Sequence, residues 1–200
     1  MKSNLIKIGL SVLILVLAIM VINSIMAPVK FENEKGKRER VVIEQLKEIR
    51  DVQIAYKGIY NRYTSSFDTL IDFIKNGQIP VVNIIPDPKD TTFIKTINDT
   101  IGFVLVVDTL FKHHANFVPN NFRFIPFSNG QEFELDAGTI EISRTKVNVF
   151  EAKALYIHIL HGMDNQLIIN LRKKLRELEK YEGLKVGSMD EASTDGNWEF

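Results

Sequence analysis

The 200-residue chain has no cysteine, one tryptophan, four histidines and no excess charge, its 25 basic residues matching its 25 acidic ones. Each shortage closes a class of chemistry. Without cysteine there is no disulfide framework, thiol nucleophile or thiolate metal site, although cysteine usage alone does not choose a compartment. Balanced charge gives no basic footprint for nucleic acid. No P-loop, GxGxxG, GxSxG or HExxH motif occurs, so phosphate cradles, dinucleotide folds, nucleophile elbows and zincin helices have no sequence support. Carboxylates and serines are too scattered for spacing to pair any two as acid and base, or as nucleophile and base. The chain reads as non-enzymatic.

What is abundant is apolar mass. Thirteen Phe, with many Ile, Val and Leu, suffice for a core. From Leu5 to Met26 the only charge is Lys7. A helix of that length spans roughly 33 Å, against a hydrocarbon core of about 30 Å. Lys7 lies near the end, where its stem carries the ammonium back to the headgroups. Residues 1–28 are therefore expected to be an uncleaved membrane anchor. The competing reading, a cleaved signal peptide, is opposed by the length of the apolar run. A cut after Ala27 would also place bulky Ile25 at the minus-three position and Pro28 just beyond the cut.

Orientation sets two signals against each other. Lys30, Lys35, Lys37, Arg38 and Arg40 outnumber Lys2 and Lys7, which by the counting rule puts the domain in the cytoplasm. The start of the chain, however, is built like an uncleaved export signal. We expect a single pass through the inner cell membrane with the C-terminal domain extracytoplasmic, the cytoplasmic side being the alternative.

Residues 29–40 form a charged juxtamembrane connector, a solvated helix or linker, and residues 41–200 a soluble domain. Val42, Leu46, Ile49, Val52, Tyr56, Ile59 and Tyr63 recur every three or four residues and predict one apolar helical stripe. Glu44, Lys47, Glu48, Arg50, Asp51 and Lys57 occupy the other face as solvated surface. Ser65 or Ser66 is expected to cap a short second helix with Phe67, Leu70, Ile71 and Ile74 inward and Gly77 at its end. Pro80, Pro86 and Pro88 bound a segment read as loop with a short extended piece. Strands are expected over 103–107, 122–127, 132–135, 139–142, 146–150 and 167–170. A hairpin turn is expected at Asn129-Gly130 and a weaker one at Ala137-Gly138. Residues 152–161 fit strand or helix and are read as extended, LRKKLRELEK as a short exposed helix or long turn, and Trp198 as a packing anchor. The fold class is α+β: a transmembrane helix continuing into an amphipathic helix, a short second helix, then a mostly antiparallel sheet.

The segment Ile49-Arg50-Asp51-Val52-Gln53-Ile54-Ala55-Tyr56, then Tyr60-Asn61-Arg62-Tyr63 and Phe67-Asp68-Thr69-Leu70-Ile71, resembles the helix end of type IV pilins and type II secretion pseudopilins. The resemblance covers residues 5–75. It implies a hydrophobic helix running into an amphipathic one packed on a C-terminal antiparallel sheet, with assembly through protein contacts. Prepilins carry a leader ending in Gly, then Phe or Met, with Glu five residues into the mature chain. Here Gly9 is followed by Leu10, Ile14 takes the fifth position and no carboxylate lies in the span. The resemblance thus implies the build, without leader processing or the membrane Glu.

Two ligand candidates remain. Asp190, Glu191, Asp195 and Asn197 gather side-chain oxygens within eight residues, a calcium candidate whose spacing is not that of an EF-hand loop; a solvated acidic loop is the plainer account. The resemblance points the same way, since major pseudopilins hold calcium near their C-terminus. His158 and His161 share a face only if their segment is helical, and no carboxylate-rich motif accompanies them. No other cofactor is expected. The expected partners are the membrane and either a second protein or a further copy of this chain, not nucleic acid. The functional expectation is a structural or assembly component of the cell envelope; the alternative is an anchored binding module for a small ligand, glycan or calcium.

Overall fold

The helical phasing of residues 42–56 is realised in a helix much longer than that stretch. A computed structural model, which describes residues 2–86, 96–114 and 117–199, places Lys2–Tyr60 in one uninterrupted helix, α1. Two things carry the helix through its charged middle. Lys35 pairs with Glu32 at 3.2 Å and with Glu39 at 3.5 Å, and Arg38 with Glu34 at 3.3 Å, the three- and four-residue spacings that favour helix. In addition, Arg38 donates to the carbonyls of Ile159 and His161, and the Tyr156 hydroxyl donates to Glu39. Residues 29–40 are thus helical and, from Phe31 onward, packed on the domain: Phe31 is 7 % exposed.

The apolar stripe then turns inward. Val42, Leu46, Ile49 and Val52 are fully buried and Tyr56 nearly so, while Ile59 is exposed and Tyr63 lies past the helix end. The opposite face is only partly solvated: Arg50 reaches Glu199 at 2.9 Å and Glu48 reaches His114 at 3.1 Å. Ser66 caps α2 (Phe67–Asn76), its hydroxyl accepting from Thr69 N–H, and Phe67, Leu70, Ile71, Phe73 and Ile74 are buried.

Two antiparallel sheets follow. The first is a hairpin of β1 (Gln78–Pro86) and β2 (Thr96–Leu105), with a register shift between Val81 and Val82. The second is a meander of β3 (Glu134–Ile142), β4 (Thr145–Leu155) and β5 (Gly183–Gly187) in the order β3-β4-β5. Between β2 and β3 come α3 (Val106–Leu110) and a 3₁₀ turn (Pro119–Arg123). Between β4 and β5 come α4 (Tyr156–Ile159) and α5 (Asn165–Glu177). Phe150, Ala152 and Ala154 of β4, Leu184 and Val186 of β5, α2 and the buried stripe of α1 share one core. The architecture is α+β, as the pattern predicts.

Several elements differ from expectation. Residues 78–86 are a nine-residue strand, where a loop with only a short extended piece is expected, tolerated because Pro80 and Pro86 lie in an edge strand that needs no donor on its outer side; Pro88 lies outside the described residues. Val106 and Val107 leave the strand for α3, with Val106 N–H on the Gly77 carbonyl. Pro119 opens a 3₁₀ turn where residues 122–127 were expected to be strand, leaving only a bridge from Phe124 to Glu132. Ala137-Gly138 is interior to β3, not a turn. Residues 156–159 end the extended segment as a helical turn. Residues 167–170 are helix: Asp164 caps α5 by accepting from Leu167 N–H at 3.0 Å, and Leu167, Ile168, Leu171 and Leu175 share its inner side. A four-residue window hid that longer period.

Candidate functional site

The largest chemical anomaly of the molecule is the first half of α1. Fourteen large apolar side chains from Leu10 to Val29 are exposed, by 43 % for Met26 up to 63 % for Met20 and Ile25. No part of the most apolar 18-residue window is buried, and its mean hydropathy is 2.7. A fully buried aliphatic side chain contributes about 1.5–3 kcal/mol, so leaving this set in water costs on the order of 20 kcal/mol, more than the 5–15 kcal/mol net stability of a typical domain. The helix is long and apolar enough to cross a membrane. Its one described hydroxyl bond fits an apolar solvent: Ser11 Oγ donates to the Lys7 carbonyl at 3.0 Å, spending its proton within the helix.

The anchor-like half meets the domain at a small cleft lined by Ala27, Lys30 and Phe31 of α1 and by Met163, Asp164 and Leu167 at the start of α5. Pro28 lies inside the helix here, leaving the Ser24 carbonyl without its helical donor.

A second, polar feature lies further along α1. Glu44, Gln45 and Glu48 form one wall of an open cleft of about 500 Å³, and His114, Phe117, Val118, Asn121 and Phe122 form the other. The aromatic wall is held by the stack of Phe111 on Phe117, centroids 3.7 Å apart, with Phe122 edge-on to both. Gln45 is already committed, donating to the carbonyls of Phe122 and Phe124. Burial raises the Glu48 pKa, Glu44 and Asp51 add to the rise, and His114 opposes it. Glu48 and His114 Nε2 lie 3.1 Å apart, but among the described residues no hydroxyl or thiol nucleophile lines the cleft. In sequence Glu48 falls on the face of α1 expected to be solvated, and His114 belongs to no motif. Only the contact between distant segments identifies them, and spacing carries no trace of it.

The sequence-derived ligand candidates are placed as follows. Asn197 binds the open edge of β5: its Oδ1 accepts from Lys185 N–H and its Nδ2 donates to the Gly183 carbonyl. Asp195 accepts from the Ser193 hydroxyl, and the backbone N–H groups of Asp190 and Glu191 donate to Ser188 Oγ. His158 lies in α4 and borders a cleft with Lys153 and Glu134, while His161 is exposed beyond the helix end. Among the described residues no group of three or more His, Asp or Glu is placed to hold a metal ion.

No protein-family model matches the chain, and no curated protein or solved structure matches it.

Proposed function

We propose that this chain is a non-enzymatic, single-pass membrane-anchored protein of the cell envelope, a pilin- or pseudopilin-like structural or assembly component acting through protein contacts. One observation carries the reading: a single helix that is bare and apolar over 10–29 and buried in a domain core over 42–56. Such a helix fixes the domain to whatever solvates its first half, with no flexible linker between. The antiparallel meander packed on the second half agrees with the build implied by the sequence resemblance. The lack of a membrane carboxylate from Ile8 to Met26 argues for a partner in an assembly rather than the repeating subunit of a processed filament. We place the domain on the extracytoplasmic side of the inner membrane.

Paired reporter fusions at the C-terminus, each active on one side of the membrane, combined with crosslinking in native membranes, test this. An extracytoplasmic reporter signal and a defined crosslinked species are expected. A cytoplasmic signal removes the pilin-like reading, and a monomer without crosslinks removes the assembly role. The Glu48–His114 cleft favours a second reading, an anchored module for a small ligand. A ligand-dependent rise in melting temperature across a glycan and calcium panel would support it, and the absence of any shift would reject it.

A further inference from the structure

Contacts between the domain and α1 step down the helix in order. At the far end Asn148 of β4 donates to the carbonyl of Asn61, the residue just past α1; next Tyr156 binds Glu39, then the carbonyls of Ile159 and His161 accept from Arg38. Finally Met163, Asp164 and Leu167 share the cleft with Ala27, Lys30 and Phe31. The α4–α5 corner is therefore the part of the domain closest to the apolar half of α1. With a rise of 1.5 Å per residue, Ala27 to Phe31 lie within about 8 Å of the end of the apolar span. Headgroups occupy the first 5–8 Å or so outside the hydrocarbon. Where α1 spans a bilayer, the corner sits in the headgroup layer.

The charge of the domain is partitioned along the same axis. Residues 30–40 and 160–182 carry ten Lys and Arg against seven Asp and Glu, whereas 41–159 and 183–200 carry thirteen against eighteen. The acids near the corner are mostly spent: Glu32, Glu34 and Glu39 bind Lys35, Lys37 and Arg38, Glu177 binds Lys173, and Glu182 binds both Arg172 and Arg176. Lys30, Arg40, Lys174 and Lys180 are exposed and pair with no carboxylate among the described residues. Ile169, on the outer side of α5, is 56 % exposed. Lys174 is nine residues from the start of α5, so it is no more than about 14 Å further out than the corner, within reach of an anionic surface at low ionic strength, where the Debye length is about 30 Å at 0.01 M salt.

We propose that the α4–α5 corner, with Lys30 and Lys174 beside it, is a second membrane contact that binds the headgroups of anionic lipids and holds the domain at a fixed tilt. This rests on the anchor reading, and the test separates the two. The chain is free of cysteine, so single labels can be placed at will. The full chain carrying a fluorophore at Ile169→Cys, Leu15→Cys or Thr145→Cys, the last exposed at the start of β4 beyond Asn148 and so at the far end of α1, is reconstituted at about 0.01 M salt in phosphatidylcholine vesicles, with or without phosphatidylserine. Spin-labelled lipids then serve as quenchers. Each cation near an anionic surface raises the seated population about fivefold. Headgroup quenchers should thus dim the label at 169 far more with phosphatidylserine present, leave the label at 145 at the far end of the domain unaffected, and lose their effect at 169 in the Lys30→Glu, Lys174→Glu variant. Quenching at 169 that matches 145, or that is equal in both vesicles, overturns the proposal while leaving the anchor intact, provided acyl-chain quenchers dim the label at 15. If they do not, the anchor reading fails and this contact fails with it.

Discussion

Gln53 sits in the apolar stripe of α1 and is completely buried. Its amide reads the backbone of Thr64 on both sides, Nε2 donating to the carbonyl at 2.6 Å and Oε1 accepting from the N–H at 3.1 Å. It therefore closes the turn between α1 and α2. Replacing it by Leu keeps the volume but strands both Thr64 groups, at a cost of about 2–3 kcal/mol. Urea unfolding in detergent should show a lower midpoint at unchanged slope. Gln53→Glu should fare little better, since it sets a carboxylate against the Thr64 carbonyl. Glu48 makes the opposite case, a charge the fold tolerates at a cost. Burial raises its pKa above 4.5, with Glu44 and Asp51 adding to the rise and His114 opposing it. A raised carboxyl pKa means the folded state holds the proton more tightly. The resulting stability is complete below the unfolded value and is lost as pH rises through the folded one. Glu48→Gln stays neutral throughout, so it should melt higher than the parent at neutral pH, with the gap closing on acidification below the ordinary carboxylate range. A variant that melts lower at neutral pH would show that the His114 contact outweighs burial.

At the scale of elements, legibility followed periodicity. α1 and α2 were readable because their inward residues repeat over several turns and Ser66 and Gly77 mark the ends of α2. The turn at Asn129-Gly130 was readable too, both residues having positive φ, 58° and 86°. The β3–β4 turn was not. It consists of Ser143 and Arg144, at φ 50° and 69°, between the paired residues Ile142 and Thr145, and neither residue type announces a left-handed backbone. The glycine that drew attention instead, Gly138, pairs with Val149 inside the ladder. Strand lengths and the inward set Leu135, Phe150 and Ala152 fix the register, and the turn accepts the strain. Each such residue costs roughly 1–2 kcal/mol. Ser143→Asn with Arg144→Gly should therefore stabilise the protein by about 1–2 kcal/mol, read as a higher urea midpoint. A loss of stability would mean that the side chains of the turn make contacts worth more than its strain. The Glu48–His114 cleft was illegible for a different reason: it joins residues of α1 to the loop after α3, with no local pattern on either side.

On the scale of the whole molecule, the question is where the bare half of α1 ends and the domain begins. Among the described residues Phe31 is the first core residue along the chain, and the most apolar window before it has no buried part. Removing residues 1–26 therefore removes the solvent problem and no domain packing. A chain beginning at Ala27 should dissolve in water without detergent. Compared with the full chain in the same mild detergent, it should unfold at the same urea midpoint and slope. A chain beginning at Glu34 loses Phe31 and opens the cleft beside Met163 and Leu167. Deleting a buried Phe costs about 3–5 kcal/mol, so its midpoint should fall while the slope stays close to that of the parent. If the chain beginning at Ala27 is instead the one that collapses or aggregates, residues 10–26 are part of a protein interface and not a span. Their apolar surface would then be covered by a partner's helices, and the anchor reading would have to give way to an obligate assembly.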